Sequence, residues 1–357
     1  MARTEGDYAR SAQRVARLCA PAVDARELRL AVLDELRRII DFDAHVWLLT
    51  DPQTWVGTAP LADVPCLPEL PMLIRLKYQA TANRWTTLPG GQARTLRQAT
   101  ADDSSRNLPW REFLRRYGIH DVASVVFADR FGCWGFLDLW RSAAMPGFDE
   151  TEAGFLGQLT GPLTAALRRT QASTFRPVAR AQPESPGPVV LLLSPDLRVR
   201  AQTAETQDYL RRLVPPSGNQ APVPAGAYNV AAQLLASEAG VDAHPPQARV
   251  YLPGSAWLTL RAARIGEAAR RADRDIAVTI EATTPGDRTD LFARAHALSS
   301  REGELLRQLI AGGDTRQVAQ QMFLSPHTVQ DHLKAIFTKT GTRSRQALVS
   351  RVVGSAP

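Results

Sequence analysis

His327, Gln330, Asp331, Lys334 and Thr338 recur three or four residues apart, the spacing at which side chains of an α-helix share a face. Four of these groups can donate to or accept from base edges in a DNA major groove, and the Thr338 hydroxyl can reach a phosphate. On the other side, Val329, Leu333 and Ile336 fall within about 60° of one another at 100° per residue. One stripe anchors and the other is left to recognise something. The expected helix, Ser325–Thr340, follows a shorter one at Asp314–Met322 with two residues between them. A short helix, a tight turn and a polar-faced second helix is the arrangement of a helix-turn-helix DNA reader. The chemistry indicated is recognition, and the expected function is transcription regulation.

The elements that must hold this face have chemically marked ends. Ser299 and Glu302 form a capping box for a helix whose buried stripe is Leu305, Leu306, Leu309 and Ile310. Gly312-Gly313 ends it. Asp314 caps the next helix, with Gln317 at the reciprocal position. Ser325-Pro326 places a capping hydroxyl before a proline at the first helical position. Gly341 stops the polar-faced helix, and Ser344 caps a fourth containing Ala347, Leu348 and Val352.

At these residues the run Leu298–Gly354 resembles the LuxR-type (FixJ/NarL-type) helix-turn-helix domain. The matching positions are Leu298 with Arg301-Glu302, Leu305-Leu306, Gly313, Val318-Ala319, Leu324-Ser325, Thr328-Val329, His332, Ile336, Lys339, Gly341, Ser344-Arg345 and Leu348-Val349. Asp314-Thr315 stands where Ser-Asn is common, Thr340 where Leu is usual, and Thr342 where Val is usual. The resemblance implies a four-helix domain that binds double-stranded DNA as a homodimer, with Leu348 and Val352 of the fourth helix at the dimer contact. It also implies phosphate contacts at Lys339, Arg343 and Arg345, at or beyond the end of the reading helix, with Ser325 and Thr328 near its start.

A capped helix with one polar face is, in general, more often a solvated helix than a DNA reader. Charge argues the other way. From residue 291 to 357, nine Lys or Arg stand against four acids, a net +5 within a whole-chain +7. Such concentration is the footprint expected for phosphate binding.

The other 290 residues or so exceed one ordinary domain. Hydrophobic residues at 44% and charged residues at 22% describe a globular protein. The charged start has no apolar core for a signal peptide, and no run is long enough to cross a bilayer, so the protein is expected in the cytoplasm and not in a membrane. Cys19, Cys66 and Cys133 are odd in number and widely spaced, which indicates buried thiols and neither a disulfide framework nor a metal site. His45 and His120 lack neighbouring ligands and are expected to be structural. No cofactor is expected.

Four prolines within Ser173–Pro188 mark an extended connector. Before it, residues 1–172 run as a helix at Ala25–Ile40, a hairpin (Ala44–Leu49, Trp55–Thr58), a helical insert, a second hairpin (Val122–Ala128, Gly135–Trp140) and a helix at Phe148–Arg169. That order predicts an α+β sheet with helices on one face and resembles a GAF domain. After it, residues 189–290 run as two strands, helices and three strands, which resembles a PAS domain. Residues 291–357 complete a multidomain chain as the all-α DNA-binding part.

Six of the seven tryptophans lie in the first unit. Trp47, Trp85, Trp134 and Trp140 are candidates to line an apolar ligand pocket, though filling a core is the plainer role. Alternation puts Trp134 and Trp140 on one face with Phe136 and Asp138. Asp138 implies that this face is partly solvated or belongs to a polar pocket.

Three function classes compete. A regulator responding to a small-molecule or protein signal fits best, with N-terminal units that only dimerise as its variant. An enzyme with a DNA-binding tail lacks G-x-S-x-G, P-loop, G-x-G-x-x-G or H-E-x-x-H motifs, so no enzymatic activity is expected. A phosphoacceptor receiver would need a doubly wound sheet, whereas this chain begins with helices.

Overall fold

The computed structural model describes residues 3–21, 23–175, 189–213, 224–252, 256–267 and 270–354. The N-terminal unit contains α1 (Glu5–Cys19), α2 (Ala25–Arg37), β1 (Ala44–Thr50), β2 (Gly57–Asp63), α3 (Leu70–Gln79), β3 (Ala93–Thr95), α4 (Leu96–Thr100), α5 (Leu108–Glu112), β4 (Ile119–Asp129), β5 (Gly132–Ser142) and α6 (Glu150–Ser173). Next come β6 (Val189–Leu193), β7 (Val199–Gln202), α7 (Thr206–Leu213), α8 (Ala225–Glu238), β8 (Gln247–Leu252), β9 (Ala256–Ile265) and β10 (Asp275–Ala282). Five helices close the chain: α9 (Pro285–Ala295), α10 (Ser300–Ile310), α11 (Thr315–Gln321), α12 (Pro326–Thr340) and α13 (Arg345–Val353).

The two sheets repeat one topology. The first is ordered β2-β1-β5-β4-β3 and the second β7-β6-β10-β9-β8, and every pairing is antiparallel. In each, the first and last strands of the unit pair at the centre.

Helices cover the first sheet on both faces, not on one. Trp47, Val125, Leu137 and Leu139 pack with residues of α1, α2 and α6, while Ala44, Val122 and Trp140 pack on the opposite face with residues of α3, α4 and α5. α1 itself was not foreseen. Thr4 and Asp7 form its capping box, and Val15 and Cys19 are buried. Trp134 does not share a face with Trp140. Between the pairs Phe127–Gly135 and Ala128–Cys133 the register shifts, and Trp134 is the extra residue. A bulge of one residue reverses the alternation, which sends Trp134 to the α6 side with Trp47. The four tryptophans therefore line no common pocket. Trp47 stacks on Phe127 at 5.4 Å, and Trp85 stacks on Phe136 at 4.9 Å across the sheet.

Asp138 is buried on the α3 side and fully engaged. It accepts from Lys77 Nζ at 2.6 Å, Trp85 Nε1 at 2.8 Å and Ser124 Oγ at 2.6 Å. The Lys77 ammonium also lies 4.5 Å from the Trp85 ring centroid. These partners satisfy a carboxylate that burial would otherwise make costly.

The sequence of α8, AGAYNVAAQLLASE, is apolar on all sides, which requires burial on all sides. It lies between the second sheet and the β2–α3 region of the first unit, where Ala227, Val230, Ala231, Ala232 and Ala236 are fully buried. Two buried ion pairs tie the units together. Asp51 receives Arg249 Nε at 2.7 Å, Nη2 at 2.8 Å and its backbone N–H at 2.8 Å. Arg84 Nη2 meets Asp242 at 2.6 Å. Burial raises the Asp242 carboxyl, but hydrogen bonds from His244, Arg84 and Thr86 outweigh it and hold the group well below the usual range.

Of the expected connector Ser173–Pro188, Ser173 still belongs to α6 and Phe175 is fully buried; residues 176–188 lie outside the described residues. Phe175 is where the three parts meet. Its ring stacks on Trp257 of β9 at 5.2 Å and stands edge-on to Phe292 of α9 at 5.3 Å. Its carbonyl accepts from Arg351 of α13 at 2.7 Å. Cys19, Cys66 and Cys133 are buried free thiols. No described helix is long and apolar enough to cross a membrane.

Candidate nucleic-acid interface

The helix α12 begins where its sequence says it must. Ser325 Oγ accepts from Thr328 N–H at 3.1 Å and contacts the Thr328 hydroxyl at 2.9 Å. Pro326 occupies the first turn, and Gly341 ends the helix at φ 66°. The capping boxes at Ser299–Glu302 and Asp314–Gln317 form as expected, as does the Ser344 cap. Val329, Leu333, Ile336 and Thr340 are the buried residues of α12, packed in one cluster with Leu305, Leu306 and Leu309 of α10 and Val318 of α11.

On the other side, His327, Gln330, Asp331, Lys334 and Thr338 are all exposed and span an arc of about 100°. The side chains of His327 and Lys334 are 85% and 75% exposed. Asp331 lies between them, 3.6 Å from His327 Nε2 and 3.5 Å from Lys334 Nζ. Such exposed, i-to-i+3 and i-to-i+4 contacts are weak and screened by salt. They leave all three side chains available to a groove. The Thr338 proton goes to its own helix, at 3.0 Å from Lys334 O, so only its oxygen lone pairs face outward.

Two expected phosphate contacts have other partners. Lys339 Nζ meets both Glu302 oxygens, at 2.6 and 2.8 Å, and so ties the end of α12 to the start of α10. Burial raises the Glu302 carboxyl, but Lys339 and the Ser299 cap outweigh it, and the group titrates below its ordinary value. Arg345 Nη2 donates to Gly313 O. Elsewhere in this part, Arg301 pairs with Glu304 and Arg307 with Asp290. Arg294 donates to Phe131 O at 2.7 Å. Much of the +5 thus works within the protein. Among the described residues, Arg316, Arg343 and, apart from its weak contact with Asp331, Lys334 are the exposed cations that remain.

The fourth helix is also placed differently. Leu348 and Val352 are fully buried within the single chain, covered by Leu291, Phe292 and Ala295 of α9. They are core residues, not a stripe left open for a second copy. Arg288 Nε secures α9 to Val352 O at 2.5 Å. The two departures Thr340 and Thr342 compensate each other: Thr340 Oγ1 donates to Ile336 O at 2.8 Å and contacts Thr342 Oγ1 at 2.8 Å, so a buried hydroxyl replaces an apolar side chain without going unsatisfied.

One residue escaped the sequence reading. Phe323, in the turn between α11 and α12, is 95% exposed with φ 54°. Phe323 N–H bonds to Gln320 O and Leu324 N–H to Ala319 O, the pair of bonds that defines a Schellman helix end. That motif puts its outermost residue in the left-handed region, where Gly or Asn is normal and another L-residue costs about 1–2 kcal/mol.

No curated protein matches the chain. Among solved structures it is similar to the Vibrio cholera VqmA–ligand–DNA complex, at 16% identity over 48% of this chain and 85% of that one, with a TM-score of 0.21. It is also similar to the bacteriophytochrome RpBphP3 from the photosynthetic bacterium R. palustris, at 13% identity over 79% of this chain and 64% of that one, with a TM-score of 0.29. Scores this low assign no fold. The family described as "Bacterial regulatory proteins, luxR family" matches residues 296–352. That span holds α10 to α12 and nearly all of α13, and with them the exposed arc. Residues 296–352 are a DNA-binding helix-turn-helix domain of the bacterial luxR family.

Proposed function

We propose that this protein is a sequence-specific transcription regulator of the cytoplasm that binds double-stranded DNA as a homodimer through α12. In this reading Gln330, Asp331 and Lys334 read bases, His327 and Thr338 flank them, and Ser325, Thr328 and Arg343 meet phosphates. The observation that carries it is the division of α12 into a buried arc and an exposed polar arc. A second copy would meet the narrow strip of Gln346, Val349 and Val353 on α13, together with surfaces of the N-terminal units, since one short helix buries too little area for a stable dimer.

The two N-terminal units, GAF-like and PAS-like in their order of elements, are the sensor in this reading. A small polar ligand of the first unit would compete with Lys77 or Trp85 for Asp138. That unit also presents an open groove of about 560 Å³ lined by Arg97, Ser104, Trp110, Arg115 and His120 among others. The closed packing of Trp47, Trp134 and Trp140, each at most 1% exposed, favours a second reading in which these units only assemble the dimer.

Selection of duplexes from a random-sequence library by the full chain tests the first claim. An enriched motif with two-fold symmetry is expected; recovery of unenriched sequence, lost uniformly with salt, contradicts it. Native mass spectrometry separates the two roles of the N-terminal units, because a sensor retains a small-molecule mass and a dimerisation module does not.

A further inference from the structure

Phe323 combines two unfavourable features with no visible return inside the protein. Its ring is 95% exposed, whereas the other exposed large apolar residues among those described, Leu30, Leu67, Val199, Ile265 and Val353, range from 39% to 51%. Its backbone is left-handed at φ 54°. The apolar contact that completes a Schellman end comes from Leu324, which packs against the core. An outlier that the fold does not use is a reason to look for a function.

Its surroundings indicate what it meets. Gln320, Gln321, Ser325, Pro326 and His327 are all exposed around it in sequence. One apolar ring and one proline among otherwise polar neighbours make no protein-docking patch, which requires a contiguous apolar area. On DNA, by contrast, the apolar target is itself small: a thymine C5 methyl at the edge of the major groove, or the face of a deoxyribose. Phe323 stands two residues before the Ser325 cap, at the end of α12 that carries His327 and Gln330.

Resting on the DNA-binding reading of α12, we infer that Phe323 is an apolar DNA contact that packs on a thymine methyl or deoxyribose beside the bases read by α12. The ring is exposed in the free protein because its partner is the duplex.

The test is Phe323→Asn, which removes the ring and puts a residue suited to the left-handed region in its place, so folding is kept or improved. Binding to a duplex recovered by the wild type is measured by fluorescence anisotropy across a salt series. The variant is expected to bind roughly tenfold more weakly, as for the loss of a well-buried aromatic contact, with an unchanged salt slope because no phosphate contact is lost. Replacing each thymine in turn by uracil then identifies the partner. Wild-type loss at one position, absent in the variant, assigns the methyl; indifference to uracil together with the tenfold loss assigns the sugar. Unchanged affinity of the variant overturns the inference, including when its transcriptional output falls, since that result makes Phe323 a protein contact. A wild type that enriches no sequence overturns the DNA-binding reading itself, and this inference with it.

Discussion

Replacing Lys339 by Met separates a structural role from a phosphate contact. The substitution keeps much of the side-chain length and removes the ammonium that meets Glu302 at 2.6 and 2.8 Å. Glu302 is 5% exposed, and without Lys339 it keeps only the Ser299 cap at 2.6 Å. Breaking a fully buried ion pair costs about 3–5 kcal/mol. The Lys339 side chain is 37% exposed, so water already screens part of the attraction, and about 1–2 kcal/mol is the reasonable figure. Unfolding of a multidomain chain is not two-state, so the assay is native-state hydrogen exchange read on peptides from α10 and α12. Their protection should fall roughly tenfold, the equivalent of about 1.4 kcal/mol. The slope of DNA affinity against salt should not change. Unchanged protection together with a slope smaller by about one counterion would refute this reasoning and return Lys339 to a phosphate.

Other consequences follow from burial and charge. Burial between Phe292 and Phe175 pushes the His296 imidazole down to about 4. The unfolded chain then takes the proton first, so stability is full above about pH 6.5 and declines toward pH 4 by roughly 3 kcal/mol. Native-state hydrogen exchange of α9 peptides in wild type and His296→Gln should diverge by this amount across that window, and parallel pH profiles contradict it. Arg249→Met leaves the fully buried Asp51 carboxylate with backbone N–H partners alone and should cost about 3–5 kcal/mol, read as lost hydrogen-exchange protection in β8 and new proteolysis between the two sheets. A loss under about 1 kcal/mol would show that the backbone N–H groups of Gln53, Thr54 and residue 249 suffice for Asp51. Asp331→Asn removes an acid that faces phosphates; non-specific affinity should rise, and an unchanged or weaker affinity argues against placing α12 in the groove.

What was legible in the sequence was local. Caps at Ser299, Asp314, Ser325 and Ser344, the stop at Gly341 and the 3.6-residue stripe of α12 depend on residues within one or two turns, and all appear where expected. The second hairpin and the strands of the second unit were legible for the same reason, whereas β2 runs on to Asp63 and β3 lies inside the expected helical insert. What failed was non-local. Glu302 and Lys339 are 37 residues apart, so the capping acid gave no sign that it also held the lysine. Leu348 and Val352 seemed uncovered because α9 went unnoticed, although Thr284 and Pro285 are ordinary start signals. Trp134 changed faces through one bulged residue that alternation cannot foresee. Phe323 looked like one more apolar residue until its backbone conformation and exposure were both visible.

The central claim is that the exposed arc of α12 reads bases, and individual side chains should therefore map to individual positions. Binding-site selection from one random library, performed in parallel with wild type, Gln330→Ala and Lys334→Ala, tests it most directly. Each substitution should flatten base preference at one or two positions of each half-site, by about 1–3 kcal/mol of discrimination, and leave the other positions intact. Identical preferences from all three proteins would contradict the account, because α12 would then touch DNA without reading it.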